Sequence, residues 1–189
     1  MQAPGRPEED PSGNFPHGEW LVPHADADMA ETMIEIFSRA DAFLLGRTTY
    51  DIFAVYWPRI TDPGNLIAGK LNSLLKYVAS RTKSTFSWHN TTHINNVVKG
   101  VVELKKRLAR EVQVHSSCCL AQTLIEKDLI DEYRLLTFPV MLRTGKRLFG
   151  SGAVPRILML VKSNSASRGV VVSIYRPAGR LRTGPFALD

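Results

Sequence analysis

Residues 42–57 read AFLLGRTTYDIFAVYW, and the fold turns on how this stretch changes its period. Ala42 to Leu45 is a short apolar run that suits a buried strand. Gly46 breaks it, and Ile52, Phe53 and Tyr56 then recur at helical spacing. A strand that meets glycine and turns at once into a helix brings unpaired N–H groups and the positive dipole end to the strand's carboxyl end. Arg47, Thr48 and Thr49 add a guanidinium and two hydroxyls there, a combination that suits phosphate. The plainer alternative is a helix cap and turn with a surface arginine.

Around this stretch, the spacing predicts a helix over 26–40, a helix running to Trp57 and stopped by Pro58, and another helix over 66–75. A strand at 77–81 follows, then a short strand or bend within 93–98 and an amphipathic helix over 98–108. A strand at 111–115, a helix at 119–127 and a long strand within 130–141, clearest at 132–138, come next. Two β-branched runs, 156–163 and 169–176, read as an antiparallel pair. Strands alternating with helices argue for a three-layer α/β fold, its mostly parallel sheet covered on both faces and closed by the C-terminal hairpin. One domain is expected over 1–177, with 178–189 as a flexible tail.

Ligands of such sheets bind at the strands' carboxyl ends. Three ends carry phosphate-compatible residues: Gly46-Arg47-Thr48, Ser80-Arg81 and His115-Ser116-Ser117. An arginine fork suits a phosphate dianion better than lysine does. Ser80-Arg81 can also be read as an ordinary polar strand end. Cys118 and Cys119, with His115 nearby, fall short of a structural zinc set, so no metal is expected. They read as small residues in a tight loop, although a helix N-terminus would lower the Cys118 pKa. Tyr56 and Trp57 serve either as core and helix stop or as an aromatic wall of a substrate pocket. Trp88-His89-Asn90 reads as loop, either plain or rimming a pocket. No serine–histidine–acid or paired-carboxylate set is legible, so no catalytic residue is assigned.

The chain has 189 residues, 44% of them hydrophobic, enough for a real core. No apolar run approaches the roughly 18 residues of a membrane span. The first ten residues are polar, acidic and proline-rich, unlike a signal peptide. Two adjacent cysteines, ill placed for pairing, suit a reducing compartment, so a soluble cytoplasmic protein is expected. A net charge of +6 fits nucleic acid or a polyphosphate cofactor. The basic residues are scattered without exposed aromatics between them, which argues against nucleic acid.

Together, DAFLLGRTTYDIFAVYWP, YVASRT, VHSSCCLAQTLIEKDLIDEYRLLTFPVMLRTGKRLF and GVVVSIYRP resemble the RibD C-terminal, dihydrofolate reductase-like family. The resemblance implies a mixed central sheet between helices with NADPH across the strand ends. It implies hydride transfer to a heterocyclic C=N or a ribosyl carbonyl, as in the pyrimidine reductase of riboflavin biosynthesis. Arg47, Thr48 and Thr49 beside Gly46 would hold phosphate, and Ser80 and Arg81 the 2′-phosphate. Ser116, Ser117, Cys118, Cys119 and Leu120 would face the pyrophosphate. A homodimer is expected by analogy.

Three departures stand out. Ser116 and Cys118 occupy glycine places of the family's pyrophosphate turn, which predicts strain there. Arg143 stands where the family has glycine. The family's first strand, central in the sheet, has no counterpart in these 189 residues. Either the natural start lies upstream of Met1, or the chain is a degenerate member, and the alternative function is then a nucleotide-binding protein without turnover.

Overall fold

A computed structural model describes residues 2–150 and 154–184. Helix α1 (Ala27–Ser38) begins where the Asp26 carboxylate accepts the Met29 N–H at 2.8 Å. Strand β1 (Ala40–Gly46) follows, and helix α2 (Arg47–Tyr56) starts on the next residue, as the change of period requires. Pro58 sits in a 3-10 turn, Trp57–Arg59, that stops α2. Helix α3 (Leu66–Ser73) is capped by Asn65, whose side chain accepts the Ala68 N–H. Then come β2 (Leu75–Ala79), β3 (Thr91–Ile94) and α4 (Val97–Arg107), the last capped by Asn96. The chain continues through β4 (Glu111–Gln113), α5 (Cys118–Glu126), β5 (Tyr133–Thr137), β6 (Arg156–Ser165) and β7 (Val171–Arg180).

Strand β1 lies at the centre of a parallel four-stranded sheet of order β3-β2-β1-β4. Its side chains alternate between two cores, as the strand period of two demands. Phe43 and Leu45 pack with Phe37, Tyr50, Leu71, Val78 and Trp88, under α1, α2 and α3. Ala42 and Leu44 pack with Tyr77, Val101, Leu104, Leu120 and Leu124, under α4 and α5. Each large aliphatic or aromatic side chain so buried contributes roughly 1.5–3 kcal/mol. Lys76 is the one charged residue fully buried among these elements. Its ammonium reaches the Leu71 and Leu74 carbonyls, both at 2.8 Å, and stands 4.5 Å from the Trp88 ring centre. It thereby satisfies the C-terminal carbonyls of α3, while burial pushes its pKa down to about 8.

The expected α/β fold is present, with its parallel and antiparallel strands in two sheets. β5, β7 and β6 form a separate antiparallel sheet of order β5-β7-β6. Among the described residues, no backbone ladder joins β4 to β5. A side chain spans the break instead: Arg134 of β5 donates through both terminal nitrogens to Glu111 of β4, at 2.7 and 2.8 Å. Its Nε donates to Glu132 at 2.8 Å. This planar, bidentate clamp holds the two edges in place of hydrogen-bonded backbone.

Smaller differences have local causes. β2 and β3 begin earlier than expected, at Leu75 and Thr91. β4 ends at Gln113 rather than His115, where its ladder with β1 stops, and the His115 ring stacks on Phe37, 4.3 Å between centres. β7 runs on to Arg180, opposite Arg156, so residues 178–180 are strand where a loose tail was expected. Of that expected tail, residues 185–189 lie outside the described ones.

Candidate functional site

The register brings the strand ends together. Gly46 is opposite Ala79, so Arg47 and the Ser80–Lys83 loop leave the sheet side by side. The third end reaches the first through Ser117, whose Oγ accepts the Gly46 N–H at 2.9 Å and donates to Thr49 Oγ1 at 2.8 Å. A Cβ on Gly46 would stand 3.3 Å from both Cβ and Oγ of Ser117, tighter than an ordinary contact. Glycine is therefore needed at 46 for close approach, not for an unusual φ, which is −73°.

The strain expected at Ser116 and Cys118 falls elsewhere in part. Ser116 and Ser117 both hold left-handed φ of 56°, whereas Cys118 is the first residue of α5. The chain must reverse after β4 to start α5, and two non-glycine residues adopt the conformation that L side chains resist. Arg143 also takes φ of 61°, so the turn there keeps a glycine-like conformation without glycine.

Helices α2 and α5 differ from the other three. α1, α3 and α4 carry side-chain caps, but neither Gly46 nor Ser117 caps its own helix with a side chain. The first-turn N–H groups of α2 and α5 thus face the shared mouth without such a partner. Arg47 and Thr48 are exposed there, and so is Arg81, which is unpaired among the described residues. Thr49 is buried, with its hydroxyl engaged by Ser117. The Ser80 hydroxyl is likewise occupied, accepting the N–H groups of Thr82 (3.2 Å) and Lys83 (2.8 Å), and so shapes the loop that carries Arg81.

Cys118 Sγ is engaged, 3.1 Å from the Arg147 carbonyl, to which Gln122 also donates. Burial pushes its thiol pKa up, opposite to the lowering expected from the helix N-terminus. Cys119 is exposed, and the Leu120 side chain belongs to the second core. Trp57 packs on the first core, while Tyr56 is exposed beneath the Arg6 guanidinium, 4.5 Å from its ring centre. Trp88 lies in a loop, as expected, but its side chain is core rather than the rim of a pocket: it is buried and its indole N–H donates to Asn72 at 3.1 Å.

The sequence reading passed over Asp51 and Lys83. Asp51 accepts from Arg47 at 2.9 Å and from Lys83 at 2.6 Å. The Arg47–Asp51 spacing of four was a readable signal, but the pairing with Lys83 was not. It also passed over the opening segment as a docked element. Gln2 is 3% exposed, with its amide nitrogen donating to the Asp10 and Ser12 carbonyls and its Oε1 accepting the Lys146 N–H. Lys146 pairs with Asp10 at 2.5 Å, which fastens this segment to the loop after β5.

An extended polyanion fits this donor set. Two helix N-termini without side-chain caps, Arg47, Arg81 and Lys83 supply cations and N–H groups, and the cradle at Gly46 leaves no room for a side chain. Among the described residues no cluster of histidine, cysteine, aspartate or glutamate could hold a metal ion, and no helix is long and apolar enough to cross a membrane.

The family comparison agrees with this architecture. The family model of the RibD C-terminal domain matches residues 2–172, and the chain belongs to that family, which is reductase-like. The uncharacterized protein YyaP of Bacillus subtilis is 30% identical over 159 residues, covering 83% of this chain and 82% of that one. A crystal structure named as a "putative riboflavin biosynthesis protein" of Shewanella sp. PV-4 superposes with a TM-score of 0.70 at 20% identity, covering 86% of this chain and 89% of that one. A pyrimidine reductase-like protein of Corynebacterium diphtheriae gives 0.59 at 14% identity, covering 84% of each. At these identities the two structures establish the fold alone.

Proposed function

We propose that this protein is an NADPH-dependent reductase acting on a small heterocyclic substrate of the riboflavin-pathway kind. The observation that carries the reading is the convergence of three strand ends: Ser117 ties the third to the first, and Asp51 links Arg47 to the Lys83 loop of the second. When bound, the cofactor supplies the hydride. The protein's part is to hold and orient it. The N–H groups of α2 and α5 and the Arg47 guanidinium would meet its pyrophosphate, and Arg81 its 2′-phosphate. Ser80 and Ser117 shape the loops that present these groups.

A fluorescence titration with NADPH and NADH tests this. Saturable binding that prefers NADPH, with the preference lost in Arg81→Ala, supports the reading. A folded sample that binds neither overturns it. The break between β4 and β5, on the strand that leads into Ser116 and Ser117, favours a second reading, a nucleotide binder without turnover. That reading requires NADPH binding with no oxidation of NADPH across a panel of pyrimidine and pterin substrates. A homodimer is part of the proposal. Its support is the apolar run Met159, Leu160 and Val161 on edge strand β6, each 46–55% exposed, and light scattering would test it. The unpaired Cys118 and Cys119 suit a cytoplasmic setting.

A further inference from the structure

Asp51 carries two cations that come from different strand ends. Arg47, one turn earlier on α2, donates to its Oδ2 at 2.9 Å, and Lys83, 32 residues later, donates to its Oδ1 at 2.6 Å. The first contact is an ordinary helix-surface pair. The second is not local, and other contacts place Lys83 as well. Its backbone N–H is held by the Ser80 hydroxyl, and its ammonium lies 5.2 Å from the Tyr50 ring centre and 5.7 Å from that of Phe86. Arg81, two residues before Lys83, is exposed and unpaired among the described residues. One carboxylate thus gathers two of the three cations at this mouth and leaves the third open.

We propose that Asp51 is an internal anion: it holds Arg47 and Lys83 poised at the mouth and gives them up to the phosphate groups of an arriving dinucleotide. The inference rests on the reading above, since it takes the ligand to be a phosphate-rich nucleotide. Exchange is feasible because the three side chains of the triad are 36–48% exposed, and ion pairs in such contact with water are weak. A phosphate group offers the same donors more charge and more acceptor oxygens. Asp51 therefore opposes binding, because its two pairs must open before a phosphate can take their donors. As a positioning residue, it acts only through Arg47 and Lys83.

The test is Asp51→Asn, which keeps shape and one acceptor but removes the charge. Affinity is read by fluorescence titration with NADPH and by competition with inorganic pyrophosphate. The variant should bind both more tightly, by roughly three- to tenfold, the range expected for losing two exposed pairs. That gain should shrink to less than twofold in a Lys83→Met, Arg47→Met background, whereas a general change of surface charge would persist there. Asp51→Ala should show the same gain, which guards against a misplaced asparagine amide. Equal or weaker binding by both Asp51 variants, in a parent that binds NADPH, overturns this inference alone. A gain that survives in the double background also overturns it. A parent that binds neither NADPH nor pyrophosphate overturns both this inference and the reductase reading.

Discussion

Replacing Ser117 with alanine should loosen the joint between the first and third strand ends, and the cost can be worked from the bonds it makes. Its hydroxyl is the acceptor for the Gly46 N–H and a partner of the Thr49 hydroxyl, 2.9 and 2.8 Å away. Thr49 is only 6% exposed, so water cannot freely replace that partner. Leaving a buried polar group unpaired costs about 1–3 kcal/mol. Gly46 lies closer to solvent, so the two losses together come to about 2–3 kcal/mol. Ser117→Gly loses the same bonds but relieves a left-handed φ of 56°, which costs about 1–2 kcal/mol for a side chain. The more flexible unfolded chain offsets about half of that relief. The glycine variant should therefore be about 0.5–1 kcal/mol more stable than the alanine variant. Equilibrium urea denaturation of parent and both variants resolves this, since about 2 kcal/mol corresponds to a midpoint shift near 1 M at a slope of about 2 kcal/mol/M. An alanine variant within about 0.5 kcal/mol of the parent would refute the bridge. An alanine variant more stable than the glycine one would refute the strain. NADPH titration of Ser117→Ala should also show weaker binding, because the α2 and α5 N-termini lose their common tether.

Three further outcomes are expected. Arg134→Met should cost about 2–4 kcal/mol in urea denaturation, because it leaves Glu111 without its cation, although Glu132 keeps Arg176, and it unties the Arg134 clamp between β4 and β5; a loss under about 1 kcal/mol would show that the sheets hold together without it. His115 has its pKa pushed down to about 4 by burial and then by the Arg134 charge. The unfolded imidazole, near 6.5, binds more protons through that window, so stability should rise with pH from about 4 to 6.5 and fall as pH is lowered through it. The amplitude is at most about 3 kcal/mol, less for the solvent that reaches the ring, and it should vanish in His115→Phe, as denaturation midpoints across this range will show. Arg143→Gly should raise stability by about 0.5–1 kcal/mol by relaxing φ of 61°, and an unchanged or lower melting temperature would count against strain in that turn.

Much of the frame was written in local patterns. The apolar run before Gly46 and the helical spacing after it determined β1 and the β1–α2 turn. The Asp26 cap, the amphipathic face of α4 and the β-branched runs of β6 and β7 are likewise local, because hydrogen bonding within four residues and side-chain period set them. Glycine at 46 and the threonines after it marked the site without revealing which hydroxyls were spoken for. Thr49 and Ser80 spend theirs inside the fold, and nothing in their neighbours' identities says so.

Only the tertiary structure decided the rest. The contacts of Ser117 with Gly46 and of Lys83 with Asp51 span 71 and 32 residues, and such pairings follow from strand register rather than from sequence spacing. Left-handed backbone was expected at Ser116 and is found there, but the second such residue is Ser117 rather than Cys118, because serine carries no preference for that conformation and the reversal after β4 imposes it. The division of the sheet was hidden for the same reason. β4 and β5 each read as ordinary strands, and whether two strands pair depends on backbone groups meeting in space, which side-chain pattern alone does not encode.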